Sequence, residues 1–496
     1  MANDRLTALD TTFLHLEDGS TSHMHLGGVM LFEGDPPAYD DLIVAIERRL
    51  HLVPRYRQRL VFPPFRLAEP EWADDPHFNL EFHVRHTALP RPGGERQLRA
   101  LAGRVFSQRM DRDRPLWEMW LVERVEGNRF AVISKTHHAL VDGISGVDIA
   151  TVLFDPEPVA ADAGRPPRPW IPRPLPPPAE AFASSVAHSV LAPAAAVRSA
   201  LDRASRPAEL LDAAMTAAGG MRAMLSTVLH PAPPTPYNVP IGPHRRFTWV
   251  DSQLDEVKGV KNALGGTVND VVLAAVSGAL RRHLRRRGVD VDDLALIAMV
   301  PVSVRSDIER GALGNKVSSM FAPLPVNIAD PVERLHKVSD SMRGLKEGGQ
   351  AVGAAMLTQI SGLAPPTILA QATRLAAASR TFNLTVTNVP GPQIPFYMLG
   401  HKLLEIAPFV PLAAEHALGI AIISYNGNLC FGLAGDYDVL HDIEDVARDL
   451  RAELRALVAA AGGNHDKPSR AKARPVEKPA VKSSTRKGGS RAPVAR

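Results

Sequence analysis

Two histidines stand side by side, His137 and His138, with Asp142 and Gly143 close behind. They close an alternating, partly β-branched run, Phe130–Thr136, that reads as a strand. An imidazole with an ordinary pKa of about 6.5 can take a proton from a hydroxyl near neutral pH. Successive strand side chains point to opposite faces, so both rings serve one cleft only if the strand has already ended. One of the pair is therefore expected to be chemical and the other structural. Two other readings stand beside this one: satisfied core histidines, or a His-His-Asp metal site. The metal reading lacks a third or fourth ligand at a zinc spacing, and the single cysteine, Cys430, is distant.

The elements that position these residues come from a chain of 496 residues, long enough for two domains with appendages. Hydrophobic residues at 45% and charged residues at 22% are ordinary for a soluble globular protein. Aromatics at 5% are too few for the stacking platforms that grip single-stranded nucleic acid. One cysteine excludes an internal disulfide framework, and Cys430 sits in an apolar run as an inert core thiol. Met1–Glu17 carries Asp4, Asp10 and Glu17 and no apolar core region, so no secretory signal is expected and a reducing, cytoplasmic setting fits. The net charge of +4 conceals a tail, Lys467–Arg496, at +9, which leaves −5 on the remainder. Its interleaved Pro, Ser, Gly and Ala read as disordered. A solvated tail, a tether to anionic lipid and a nucleic-acid arm are its three readings, in that order.

Before the histidines, His25–Glu33, Leu80–His86 and Arg114–Glu123 read as strands, and Asp40–Leu50 and Gly94–Met110 as helices. Pro54–Arg59 is a basic cluster of the kind that forms a solvated face, and Trp117 and Trp120 are expected in the core. A small-residue helix start follows at Ser145–Phe154. Ten prolines in Asp155–Pro178 mark a semi-rigid linker. Ala179–His230 is Ala-rich and helical in character, and Pro231–Pro243 is a second break. Beyond it, Arg245–Asp251, Leu294–Val304, Lys316–Val326, Phe382–Thr387, Leu418–Tyr425 and Asn428–Leu433 read as strands. Val268–Arg287, with Thr267 or Asn269 as N-cap, Pro331–Lys346 and Ile443–Ala459 read as helices. Gly348–Thr373 carries no charge, but Pro365-Pro366 and its glutamines fit a hydrophobic hairpin on lipid or along an acyl tunnel better than a spanning helix. Strands and helices mixed in this way indicate α/β or α+β sandwich layers.

His137-His138-Ala139-Leu140-Val141-Asp142-Gly143 matches the HHxxxDG signature of CoA-dependent acyltransferases and peptide-synthetase condensation domains. Pro115-Leu116-Trp117-Glu118, this stretch, Asn269-Asp270, Pro301–Arg305, Leu313–Lys316 and Asn388–Pro392 occur in that order. Together they resemble the bacterial wax ester synthase/acyl-CoA:diacylglycerol acyltransferase family, most of all its actinobacterial triacylglycerol synthases. The match runs over roughly residues 1–460. It implies two chloramphenicol-acetyltransferase-like domains, 1–154 and 244–462, joined by a linker and crossover over 155–243, with the active site at their interface and a basic tail from 463 to 496.

The resemblance also implies roles. His138 is the general base, taking the proton of an acceptor hydroxyl that attacks an acyl-CoA thioester without a covalent enzyme intermediate. His137 is supporting, Asp142 shapes the loop by pairing with an arginine, for which Arg305 is the candidate, and Gly143 allows a backbone conformation a Cβ would hinder. Thr387 or Asn388 is a candidate oxyanion donor; an ordinary strand-to-turn transition is the other reading. Asn269 and Asp270 are candidates for substrate positioning, although a helix cap and a favourable first-turn acid account for Asp270. The expected reaction is transfer from long-chain acyl-CoA to diacylglycerol, with neither metal nor redox cofactor. A long-chain alcohol as acceptor (wax ester synthesis), a carrier-dependent condensation and a non-catalytic lipid-droplet coat are the alternatives. The expected place is the cytoplasmic face of the membrane or the lipid droplet.

Overall fold

Among the described residues, two six-stranded sheets carry the molecule, and neither follows chain order. The structure, a computed structural model, describes residues 4–63, 69–140, 153–158, 170–175, 177, 231–303, 317–347 and 380–462. Asp142, Gly143, Arg305, the Ala-rich crossover, the neutral stretch 348–373 and the basic tail lie outside them.

The first half runs β1 (Asp4–Arg5), α1 (Ala8–Glu17), β2 (His25–Glu33), α2 (Tyr39–Arg49), β3 (Gln58–Val61), β4 (Glu71–Asp74), α3 (Leu80–His83), β5 (Val84–Ala88), α4 (Glu95–Ser107), β6 (Trp117–Val125) and β7 (Arg129–His137). The second runs β8 (Arg245–Gln253), α5 (Leu254–Leu264), α6 (Val268–Arg286), β9 (Leu296–Ser303), β10 (Val317–Leu324), α7 (Pro331–Glu347), β11 (Leu384–Pro390), β12 (Tyr397–Met398), β13 (His401–Phe409), β14 (Leu418–Tyr425), β15 (Asn428–Asp436) and α8 (Ile443–Gly462). One sheet is ordered β12-β13-β2-β7-β6-β5 and the other β10-β9-β11-β14-β15-β8.

The position of strand β7 explains why Phe130–Ile133 is an unbroken apolar run. Phe130 and Val132 face one hydrophobic core, and Ala131 and Ile133 face another, so the strand is a wall between two interiors. Phe130, Val132 and Ile133 each contribute about 1.5–3 kcal/mol by leaving water. One of these cores continues from α4 and β2 through the second sheet to α6 and α8, which fuses the two halves.

The second half reaches into the first sheet: β13 leaves it and pairs antiparallel with β2, Ala407 opposite Val29. Its other side packs on β14 and β15, where a Cβ at Gly432 would overlap the Pro408 carbonyl. Leu80–His86 is not one strand, because Asn79 accepts from the Glu81 amide and caps a single helical turn before β5 starts at Val84. The basic cluster is not simply solvated either: Arg55 and Arg57 lie over the rings of Trp72 and Trp170, at 4.9 and 4.6 Å. Trp117 is buried as expected, and Trp120 is partly buried against the same core that Trp249 helps build. No single helix among the described residues is long and apolar enough to cross a membrane.

Candidate active site

β7 ends at His137, and the chain turns at His138. The change of element separates the two rings, as the strand argument requires. His137 is 1% exposed, whereas His138 is only partly buried. The Ala139 amide donates to His137 Nδ1 at 3.0 Å, so that nitrogen carries the lone pair and the ring proton sits on Nε2. Nε2 lies 3.4 Å from Glu17 Oε1. The His138 amide donates to the Met24 carbonyl at 2.8 Å, and its ring stacks on Phe13 with centroids 3.8 Å apart.

Burial pushes the His138 imidazole down to about pH 4, with the neighbouring His137 adding to the effect. The ring is therefore neutral, with a lone pair to offer, throughout the physiological range. His25, the Cα partner of His137 across β2 and β7, is driven well below its ordinary value by burial, and His23 to about 4 by burial and Arg245. Burial alone would raise Glu17. Hydrogen bonding and attraction from His137, His25 and Arg112 outweigh it and hold this carboxyl far below the usual range.

The strand beside the histidines is equally prepared. The His137 amide donates to Leu116 O at 2.9 Å, and Trp117 Nε1 donates to Tyr56 O at 2.8 Å, so the Pro-Leu-Trp segment is a rail for the end of β7. Lys135, fully buried, donates to Val105 O and Gln108 O at the end of α4 and lies 3.4 Å from Glu118 Oε2. A cation there meets the carbonyl-rich end of a helix.

A second group forms where β11 ends. Asn388 Nδ2 donates to Asn269 Oδ1 at 3.4 Å, which joins the strand end to the first turn of α6. Thr387 is half-buried one residue earlier. Asp270 belongs to the cap: its Oδ2 accepts from the Thr267 amide at 2.8 Å while its own amide donates to Thr267 Oγ1, a capping box with Thr267 as N-cap. The turn after Asn388 needs Gly391, where a Cβ would overlap the Ser424 carbonyl. The structure thus brings Asn269 and Asn388 together and assigns Asp270 to the helix. Asp251, Glu405 and Cys430 form the one group of metal-ligating side chains within 4.8 Å among the described residues, where β8, β15 and β13 meet.

Sequence reasoning missed Phe13 and Glu17. They lie four residues apart, on one face of α1, and both face the end of β7. A phenylalanine and an acid at that spacing beside His23 and His25 are the only local sign, and pairing with a strand 120 residues away gives them meaning.

The two sheets, with a histidine at a strand end, give the chloramphenicol-acetyltransferase-like fold. The wax ester synthase/diacylglycerol acyltransferase catalytic-domain profile matches residues 6–272, and the C-terminal domain profile of the same family matches 313–458. A probable diacylglycerol O-acyltransferase of Mycobacterium tuberculosis is 33% identical over 466 residues, 92% of this chain and 96% of that protein. The solved wax ester synthase/diacylglycerol acyltransferase of Marinobacter aquaeolei is 30% identical, superimposes with a TM-score of 0.63 and covers 92% of this chain and 100% of its own. A starter condensation domain of rhizomide synthetase shares the fold alone, at 12% identity and a TM-score of 0.57 over 93% of this chain and 94% of its own. The chain belongs to the wax ester synthase/diacylglycerol acyltransferase family, and it is an acyltransferase.

Proposed function

We propose that this enzyme transfers a long-chain acyl group from acyl-CoA to diacylglycerol, giving triacylglycerol and free CoA. The observation that carries the reading is His138 in the turn that ends β7, stacked on Phe13, in a chain aligned over nearly its whole length with a relative named a diacylglycerol O-acyltransferase. His138 takes the hydroxyl proton of the acceptor as its oxygen attacks the thioester carbon. The tetrahedral oxyanion and the imidazolium arise together, so each offsets the burial of the other. Collapse breaks the carbon–sulfur bond, and the CoA thiolate leaves with the proton held by His138. The Asn269–Asn388 pair, at the positive end of α6, is suited to donate to the oxyanion. Asp142, Gly143 and Arg305 are proposed to shape the loop behind the base. The thioester is already activated, so no metal or redox cofactor enters the reaction.

A long-chain alcohol is the second acceptor, favoured by the 30% identity to the Marinobacter enzyme, whose name includes wax ester synthase. The acceptors are insoluble, which supports a peripheral place on the cytoplasmic membrane face or on lipid droplets, with the tail at +9 as an electrostatic aid. The test is CoA release from palmitoyl-CoA with diacylglycerol, hexadecanol or no acceptor, beside His138→Ala. Release that depends on diacylglycerol and falls to a small residual rate in the variant is expected. Equal release without acceptor, or a fully active His138→Ala, would overturn the reading.

A further inference from the structure

We propose that Glu17 is a positioning residue for the acyl-transfer base, setting through the Met24 backbone and the His137 ring where the His138 imidazole stands. Its carboxylate is 1% exposed, at the last residue of α1. A buried carboxylate that served nothing would be a costly feature to keep. This one is surrounded by donors. Oε1 accepts from the Met24 amide at 2.7 Å and faces His137 Nε2 at 3.4 Å and His25 Nε2 at 3.5 Å. Oε2 accepts from Arg112 at 2.9 Å.

The two routes outward from Oε1 meet at one residue. Through Met24, whose amide donates to Oε1 and whose carbonyl, in the next peptide, accepts from the His138 amide, Glu17 anchors the backbone on the N-terminal side of His138. Through the His137 ring, whose Nδ1 accepts from the Ala139 amide, it holds the peptide on the C-terminal side. The amides on both sides of the His138 Cα are therefore bonded to residues that Glu17 contacts, while Phe13, one helical turn earlier, covers the ring itself. Arg112 also bonds Asp18 at 2.7 Å and Leu14 O at 2.8 Å, so the carboxylate is itself held against the end of α1. Glu17 has no direct contact with the His138 ring, and its effect is one of placement.

The proposal rests on His138 being the base, and its test separates the two. Glu17→Ala and the near-isosteric Glu17→Gln are assayed for acceptor-dependent CoA release in wild-type and His138→Ala backgrounds, well below their melting temperatures. The expected result is a kcat lower by about ten- to a hundredfold, with KM for acyl-CoA and diacylglycerol within about twofold. Glu17→Gln, which keeps an oxygen for the Met24 amide, falls between. In the His138→Ala background the same changes leave the residual rate untouched, because there is no base left to place. A loss by the same factor in both backgrounds, or a kcat within about twofold of wild type, overturns the proposal. Where Glu17→Ala does not fold, Glu17→Gln decides by the same criteria. An active His138→Ala would instead strike at the identity of the base.

Discussion

Removing the Phe13 ring should move the acid limb of the pH–rate profile. Phe13 covers the His138 imidazole at 3.8 Å, and burial is the leading reason that this imidazole sits at about 4. Phe13→Ala admits water to that face and returns the pKa toward its ordinary 6.5. At pH 5.5 a base with a pKa of about 4 is roughly 97% neutral, whereas one at about 6.5 is roughly 9% neutral. The largest expected loss in kcat/KM at that pH is thus about tenfold, shrinking to a few per cent at pH 8. The assay is kcat/KM for CoA release between pH 4.5 and 8, which reports the free enzyme, with Phe13→Leu as a control that keeps the apolar cover. Wild type and Phe13→Leu should show no acid limb above pH 5. An acid limb near 6.5 in wild type, or an alanine variant whose profile overlays wild type, would refute the argument from burial.

Other perturbations address the frame around the site. Glu453→Ala strands Arg334, which is 1% exposed and otherwise bonded only to the carbonyls of Ala274, Ile328 and Ala329, so urea titration should show a loss of about 3–5 kcal/mol; a loss under about 1 kcal/mol would contradict it. Glu405 is pushed up to about 8 by burial and then by Asp251, so the folded chain holds that proton longer than the unfolded one does. Its contribution is complete below 4.5 and is lost as pH rises to about 8, at about 1.4 kcal/mol per pH unit as an upper limit. Stability of Glu405→Gln should be flatter than wild type across that window, and an unchanged slope would count against it. Gly391→Ala drives a Cβ into the Ser424 carbonyl and should shift Asn388, lowering kcat by about tenfold or more while costing only about 1–3 kcal/mol in stability. A variant with wild-type turnover would remove Asn388 from consideration as an oxyanion donor.

The elements written in local periodicity were legible. β2, β7, β14 and α6 lie within a residue or so of where alternation, apolar spacing and the Thr267 cap place them. β13 was not, because its charged Glu405 and its Pro408 interrupt any run, and it is held between β2 and β12 in its sheet with β14 and β15 of the other sheet packed against it. α5 was overlooked for a different reason: only Leu254, Val257 and Val260 mark its buried stripe, and Gly259 interrupts it. In the site, the histidines and a helix cap at Thr267 or Asn269 could be read from spacing, and the structure decides for Thr267. The Asn269–Asn388 contact and the burial of Glu17 could not, since each joins segments about 120 residues apart.

The exchange of β13 also dictates an order of events during synthesis. The first sheet lacks its β12–β13 side until residue 409 has left the ribosome, and until then β2, with Val29, Met30, Leu31 and Phe32 in a row, is an open edge. Such an edge is a template for pairing with any other extended segment, including that of a neighbouring nascent chain. The amino-terminal half is thus an unfinished surface that its own distant sequence must seal, and a fragment ending near residue 243 would carry the histidines on a sheet that cannot close.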